Sequence, residues 1–149
     1  MNHHLLLVIH LLAATIWVGG HIYICIAVLP RALKKKDAQV LLAFEKTYEP
    51  IGMLSLLLLV ITGIWMTVQF GIGWSQLFSF QTPIEKLVFT KLALLLATIA
   101  LAISAQVRVI PSFKQNSNRL PEMAVHAAAV TIIGISMLVI GSFGRYGGI

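Results

Sequence analysis

The stretch "HLLAATIWVGGH", residues 10–21, lies inside an apolar run that extends from Leu5 to about Leu29. An α-helix needs about 20 residues to cross the hydrocarbon core of a bilayer. The run is therefore long enough to form a membrane-spanning first helix. It is longer than the apolar region of a signal peptide, and no Lys or Arg precedes it, so we expect a retained helix.

The composition agrees with a membrane protein. Of 149 residues, 58% are hydrophobic and 11% are charged, whereas roughly 25% of residues in a soluble domain are charged. Three further apolar windows give four predicted helices, at about 4–29, 51–70, 86–110 and 123–143. The sequence predicts an all-α integral membrane protein, a single antiparallel four-helix bundle. Its one cysteine, Cys25, excludes an internal disulfide.

The distribution of basic residues predicts the orientation of the bundle. They are concentrated in the first and third loops, with one at the edge of the second loop and one in the C-terminal tail: Arg31, Lys34, Lys35, Lys36 and Lys46; Arg108, Lys114 and Arg119; Lys86; Arg145. By the positive-inside rule, the first and third loops are cytoplasmic and both termini lie on the outer side of the membrane. The net charge of +6 is thus a topology and lipid-headgroup signal, and we expect no nucleic-acid partner. Segment 37–49 is expected to lie on the interface or to extend the second helix.

The first helix carries a stripe of histidines. His3, His10 and His21 are separated by seven and eleven residues, and Trp17 follows His10 by seven, so all four share one helical face. Intramembrane polar residues normally face the bundle interior. The neighbouring Gly19 and Gly20 leave room for a close helix or a flat ligand.

Depth in the membrane sorts the candidate ligands into two layers. The cytoplasmic layer contains His21, Met53, Met123 and His126, and the outer layer contains His10, Met66, Lys91 and Met137. Each of these residues could instead have a purely structural role without binding a ligand. An interior histidine can simply hydrogen-bond to a hydroxyl or carbonyl, a methionine can fill space, and a lysine can extend toward the interface.

Two facing imidazoles in a four-helix bundle are typical of b-type haem ligation. We predict haem b between His21 and His126, with Arg31, Arg108 and Arg119 available for its propionates. The sequence has no Cys-x-x-Cys-His, so covalent c-type attachment is excluded. A second site at His10 would need Met66, Met137 or Lys91 as a partner ligand. The function predicted from this arrangement is electron transfer or the oxidation of quinol, a porphyrin precursor or another small redox partner.

Copper is the alternative occupant. Thioether, thiolate and imidazole ligands suit Cu(I), and each layer offers such a set, with Cys25 one turn beyond His21. Two weak sites in series would form a relay. A third alternative is an accessory membrane subunit whose histidines only hydrogen-bond. The expected partners are membrane lipid and a redox partner, and a homo-oligomer stays an open alternative.

Three stretches resemble the membrane domain of the copper-resistance protein D family: "HLLAATIWVGG", "LLVITGIW" and "KLVFTKLALLLATIALAISAQVRVIP". This resemblance covers the first three helices. It implies an inner-membrane protein tied to copper handling, with His10, Trp17 and Lys91 at family motif positions, whereas His21 and His126 do not map onto that pattern. The layout is also similar to the small bacterial four-helix protoporphyrinogen oxidase, which implies a haem-associated role.

Overall fold

Four helices in the computed structural model are long and apolar enough to cross a membrane: His3–Lys35, Ala38–Gln69, Pro83–Val109 and Leu120–Phe143. We call them the first to fourth spans. The structure describes residues 3–73, 76–111 and 120–144, and these residues contain no strand. The predicted all-α transmembrane bundle is thus confirmed. Lys114, Arg119 and Arg145, three of the residues used to predict orientation, lie outside the described residues. The orientation and the single-domain organisation stay predictions.

The first and third spans each contain one π-helical turn near the C-terminal end. In the first span it is Ile24–Val28, between the α-helices His3–Tyr23 and Leu29–Lys35. In the third span it is Ala105–Val109, which follows the α-helix Pro83–Ser104. A π-turn inserts an extra residue into the helix and changes which side chains face the neighbouring helices.

The second span begins earlier than residue 51, where the sequence places it. Its N-cap is Asp37, whose carboxylate accepts a hydrogen bond from the backbone N–H of Gln39 at 2.8 Å. The helix then continues through Pro50 to Gln69. Segment 37–49 is therefore an extension of the second helix, held by burial of Leu41 against the other helices.

The third span begins with a capping box. The Thr82 hydroxyl accepts from the Glu85 backbone N–H, and the Glu85 carboxylate accepts from the Thr82 backbone N–H. This pairing satisfies two backbone donors that the first turn would otherwise leave unbonded. A short 3₁₀-helix, Gln76–Phe78, lies in the loop before it.

The spans do not pack equally against one another. The first packs most extensively on the second, and the fourth packs on both the first and the third. The second and third spans have no comparably extensive contact. Their interface is bridged near one end by a 2.7 Å hydrogen bond from the Gln106 amide to the Glu49 carboxylate. This loose side of the bundle leaves space inside it.

Candidate functional site in two intramembrane cavities

Two cavities lie within the bundle, at different depths along the helices. The first, which we call the His21 cavity, has a volume of about 90 Å³ and is lined by His21 and His126 among others. The second, the Lys91 cavity, has a volume of about 400 Å³ and is lined by residues of all four spans, including Lys91. Trp17, Leu56 and Thr98 line both cavities and form the wall between them.

The His21 cavity brings together the four residues of the predicted cytoplasmic layer. His21 comes from the first span, Met53 from the second, and Met123 and His126 from the fourth. Glu45 and Glu49 line the same cavity. The cavity is thus lined by two imidazoles, two thioethers and two carboxyl groups, each of which is a kind of group that binds metal ions.

Hydrogen bonds determine which ring nitrogen of each histidine carries the proton. His21 Nδ1 lies 2.8 Å from the carbonyl oxygen of Trp17, and His126 Nε2 lies 2.9 Å from the carbonyl oxygen of Leu101. A carbonyl oxygen only accepts hydrogen bonds, so the nitrogen facing it must be the protonated one. In the neutral rings, the lone pair is then left on Nε2 of His21 and on Nδ1 of His126. Metal-binding histidines are commonly oriented in this way.

Tyr48 is a member of this site that the sequence analysis did not identify. Its hydroxyl donates to the Trp17 carbonyl at 2.7 Å, and its ring makes an edge contact with His21, with ring centroids 5.6 Å apart. The ring lies against Gly20, where an added Cβ would collide with it, and against Gly52 of its own helix. The room left by Gly20 is therefore occupied by a tyrosine of the second span. Gly52, four residues after Tyr48, was the sequence signal for this contact.

The Lys91 cavity brings together the predicted outer layer of His10, Met66, Lys91 and Met137. His10 Nδ1 lies 2.7 Å from the Thr62 hydroxyl, whose own proton is donated to the Leu58 carbonyl. His10 must therefore be the donor in this pair. His10, His21 and His126 thus each have the hydrogen-bond partner that a structural histidine would have, and in its neutral form each keeps one ring nitrogen with a lone pair.

Thr98 was also not identified from the sequence, although a hydroxyl in an apolar span is a signal that could have found it. It is 1% exposed, and its Oγ1 has no hydrogen-bond partner among the described residues. A buried polar atom without a partner is uncommon in folded proteins. The residue lies in the wall between the two cavities.

Other predicted site residues lie elsewhere. Arg31 and Arg108 are exposed and line neither cavity. Cys25 also lines neither cavity, and its Sγ lies 3.1 Å from the hydroxyl of Thr131. The structure therefore does not bring the two arginines or the thiol to the facing histidines.

The size of the His21 cavity argues against haem at the predicted place. Sites for drug-sized ligands have volumes of roughly 300–1,000 Å³, and a porphyrin is at least such a ligand, whereas this cavity has about 90 Å³. The residues present do not fit haem there, but the space suits a metal ion. The described residues contain no cluster of three or more His, Cys, Asp or Glu side chains that could hold a metal. A metal would therefore depend on thioether ligands as well.

Of three comparisons with known proteins, one finds a match, to a protein-family model. Neither a search of curated proteins nor a search of solved structures finds a match, so the similarity to protoporphyrinogen oxidase stays a prediction. A family model described as Copper resistance protein D matches residues 42–143. The matched segment includes Lys91 and His126 but not His10, Trp17 or His21. Since it covers more than half of the chain, this multi-pass membrane protein belongs to the copper resistance protein D family.

Proposed function

We propose that the chain handles Cu(I) in the bacterial inner membrane and that the His21 cavity is where it binds the ion. The observation that carries this proposal is the pairing of His21 and His126 in a metal-sized cavity, each with one ring nitrogen free of a proton. Two imidazoles with the thioethers of Met53 and Met123 form a soft ligand set of the kind that selects Cu(I). Family membership supports the same cargo.

The charges around the two cavities favour the His21 cavity over the Lys91 cavity for a cation. Glu45 and Glu49 line the former, and no lysine or arginine of the described residues does. Within the part of the chain that the structure describes, the Lys91 cavity is lined by one ammonium group and by no carboxylate. A cation in the low-dielectric interior is stabilised by the first arrangement and repelled by the second. A copper site at His10, Met66 and Met137, and with it a relay of two sites, is therefore less favoured than one site at His21.

The haem alternative keeps one supporting feature, because His21 and His126 do share a cavity. Ligation of haem there would require the first and fourth spans to separate. Electron transfer with a quinol or porphyrin partner would then follow from the haem. An absorption spectrum of the purified protein distinguishes this alternative from copper, since only haem gives a Soret band.

The proposal is tested by titrating the full chain with Cu(I) in detergent, without oxygen, against a chromophoric chelator. We expect one Cu(I) per chain. His126→Gln keeps an N–H donor for the Leu101 carbonyl but removes the imidazole, and we expect it to weaken binding by about tenfold or more. The double variant His21→Ala with His126→Gln should lose the site.

His4→Ala is the matched control, because His4 is an exposed histidine of the same helix as His21. It should bind Cu(I) as the wild type does, and thermal unfolding should show that all variants are folded. Three results would overturn the proposal. The first is binding in the double variant equal to that of the control, and the second is a Soret band in the wild type that His126→Gln removes. The third is a wild type with neither Cu(I) binding nor a Soret band, which would support the structural, accessory role.

A further inference from the structure

Lys91 has no counter-charge among the residues that the structure describes. It makes no hydrogen bond or ion pair with any of them, and no Asp or Glu lines its cavity. Its Nζ lies against the backbone of the fourth span at Gly141, where an added Cβ would come within 2.9 Å. The side chain thus extends into the bundle and not toward the lipid. Ionisable groups inside a membrane protein normally have a partner and mark a functional site.

The rest of the Lys91 cavity is suited to an apolar chain. At about 400 Å³ it falls within the range of roughly 300–1,000 Å³ that small-molecule sites occupy. Its wall is formed mostly by aliphatic side chains, including Leu59, Leu87, Val88, Leu92 and Leu95. A ligand that fills this space must therefore be largely apolar, with one group that can interact with an ammonium.

The arrangement of the spans gives such a ligand a route from the bilayer. The second and third spans, which both contribute to the cavity wall, lack extensive contact with each other. An acyl chain can enter between two loosely packed helices without leaving the hydrocarbon. Lipids and fatty acids are the molecules present there in quantity, and the cation at Lys91 favours those with an anionic head group.

We propose that the Lys91 cavity binds an anionic amphiphile. Its carboxylate or phosphate accepts hydrogen bonds from the Lys91 ammonium, and its acyl chain lies along the aliphatic wall toward Trp17. The ligand supplies the counter-charge that the described residues do not. This inference concerns a different cavity from the proposed copper site, so the two can fail independently.

The test uses quenching of Trp17, which lines the cavity, by 11-bromoundecanoate. The full chain carries Trp65→Phe and Trp74→Phe, so that Trp17 is the one remaining tryptophan, and is placed in nanodiscs of zwitterionic lipid. We expect saturable quenching. Lys91→Met, which is similar in length but uncharged, should weaken binding by about tenfold or more, as expected when a charge-assisted hydrogen bond is lost. Lys91→Arg keeps the positive charge and should retain most of the binding of 11-bromoundecanoate.

Two controls separate a specific site from partitioning into lipid. Lys86→Met removes an exposed lysine of the same helix and should leave quenching unchanged. The neutral 11-bromoundecanol should quench weakly and without saturation. If the alcohol quenches as the acid does, or if Lys91→Met matches Lys86→Met, the proposal is wrong. Nanodiscs that contain phosphatidylglycerol then identify the natural ligand. If phosphatidylglycerol competes with the probe, the ligand is an anionic phospholipid, and if it does not compete, the ligand is a free fatty acid.

Discussion

The adjacent residues Gly19 and Gly20 have different roles despite their identical chemistry. An added Cβ at Gly20 would collide with the ring of Tyr48, whereas at Gly19 it would meet no atom within 4 Å. The hydroxyl of that tyrosine contacts both the Trp17 carbonyl and, at 3.3 Å, His21 Nδ1. The glycine that matters is thus the one that lets the second span reach the histidine.

Gly20→Ala should therefore destabilise the protein, by about 1–3 kcal/mol as for other overpacked cores. Because Tyr48 would be displaced, Cu(I) affinity at the His21 cavity should fall as well. Gly19→Ala is the matched control and should be neutral or slightly stabilising, since alanine is the better helix former. Thermal unfolding in detergent and the Cu(I) titration measure the two effects. Equal stability of the two variants would contradict the close packing of Tyr48 on Gly20.

The sequence was sufficient to identify the histidines of the site but not Tyr48, which packs against His21. His10, His21 and His126 are polar residues in apolar spans, and such residues are visible without a structure. Tyr48 was placed in segment 37–49, for which an interfacial position and an extension of the second helix were both left open, and the predicted membrane window began only after Pro50. Its approach to Gly20 depends on the helix continuing through that proline, and the local sequence argues against such continuity.

At the scale of helical elements, the π-turn Ile24–Val28 changes how the first span meets the fourth. Near it, the Thr131 hydroxyl lies 3.1 Å from both the His21 carbonyl and the Cys25 thiol. The same hydroxyl donates to the Ala127 carbonyl at 2.7 Å. Thr131 thus links two spans beside the His21 cavity. Neither π-turn was predicted, because an inserted residue is favoured by tertiary contacts and leaves no mark in hydropathy.

Thr131→Val keeps the shape of the side chain and removes this link. We expect a loss of about 0.6–2 kcal/mol, the range found for hydrogen bonds between membrane helices. Thr15→Val is the control. Among the described residues, the exposed Thr15 hydroxyl bonds only to the Leu11 carbonyl of its own helix, so its removal should cost less than about 0.5 kcal/mol. Unfolding of both variants in detergent gives the comparison. If both lose the same free energy, the contact of Thr131 with the first span contributes nothing.

For the whole molecule, the four spans and the two layers of side chains follow from the sequence, because hydropathy gives the spans and helical depth gives the layers. The cavities could not be predicted, because hydropathy does not tell how the spans pack against one another. The opposite charges of the two cavities also result from this packing. Glu45 and Glu49 reach the His21 cavity because the second helix extends back through segment 37–49, and Lys91 stays in the bundle because Gly141 leaves room for it.

The last prediction for the whole molecule is the orientation of the bundle in the membrane. Lys34, Lys35 and Lys36 lie at the C-terminal end of the first span and directly after it, whereas Lys86 is the one basic residue near the loop before the third span. The positive-inside rule then places the loop after the first span in the cytoplasm. The His21 cavity would lie toward the cytoplasm and the Lys91 cavity toward the outside, so Cu(I) would bind on the cytoplasmic side of the amphiphile.

Two single-cysteine variants on a Cys25→Ser background test this orientation in intact bacterial cells. Gln81 and Lys35 are both exposed and lie in or beside opposite loops. We expect a membrane-impermeant maleimide to label Gln81→Cys in intact cells and Lys35→Cys only after lysis. Lys35→Cys removes one of several positive charges in its loop, so the charge bias that sets the orientation is retained. If Lys35→Cys is labelled in intact cells and Gln81→Cys is protected, the bundle has the opposite orientation. The carboxylate-lined cavity would then lie on the outer side, where the protein would meet extracytoplasmic copper first.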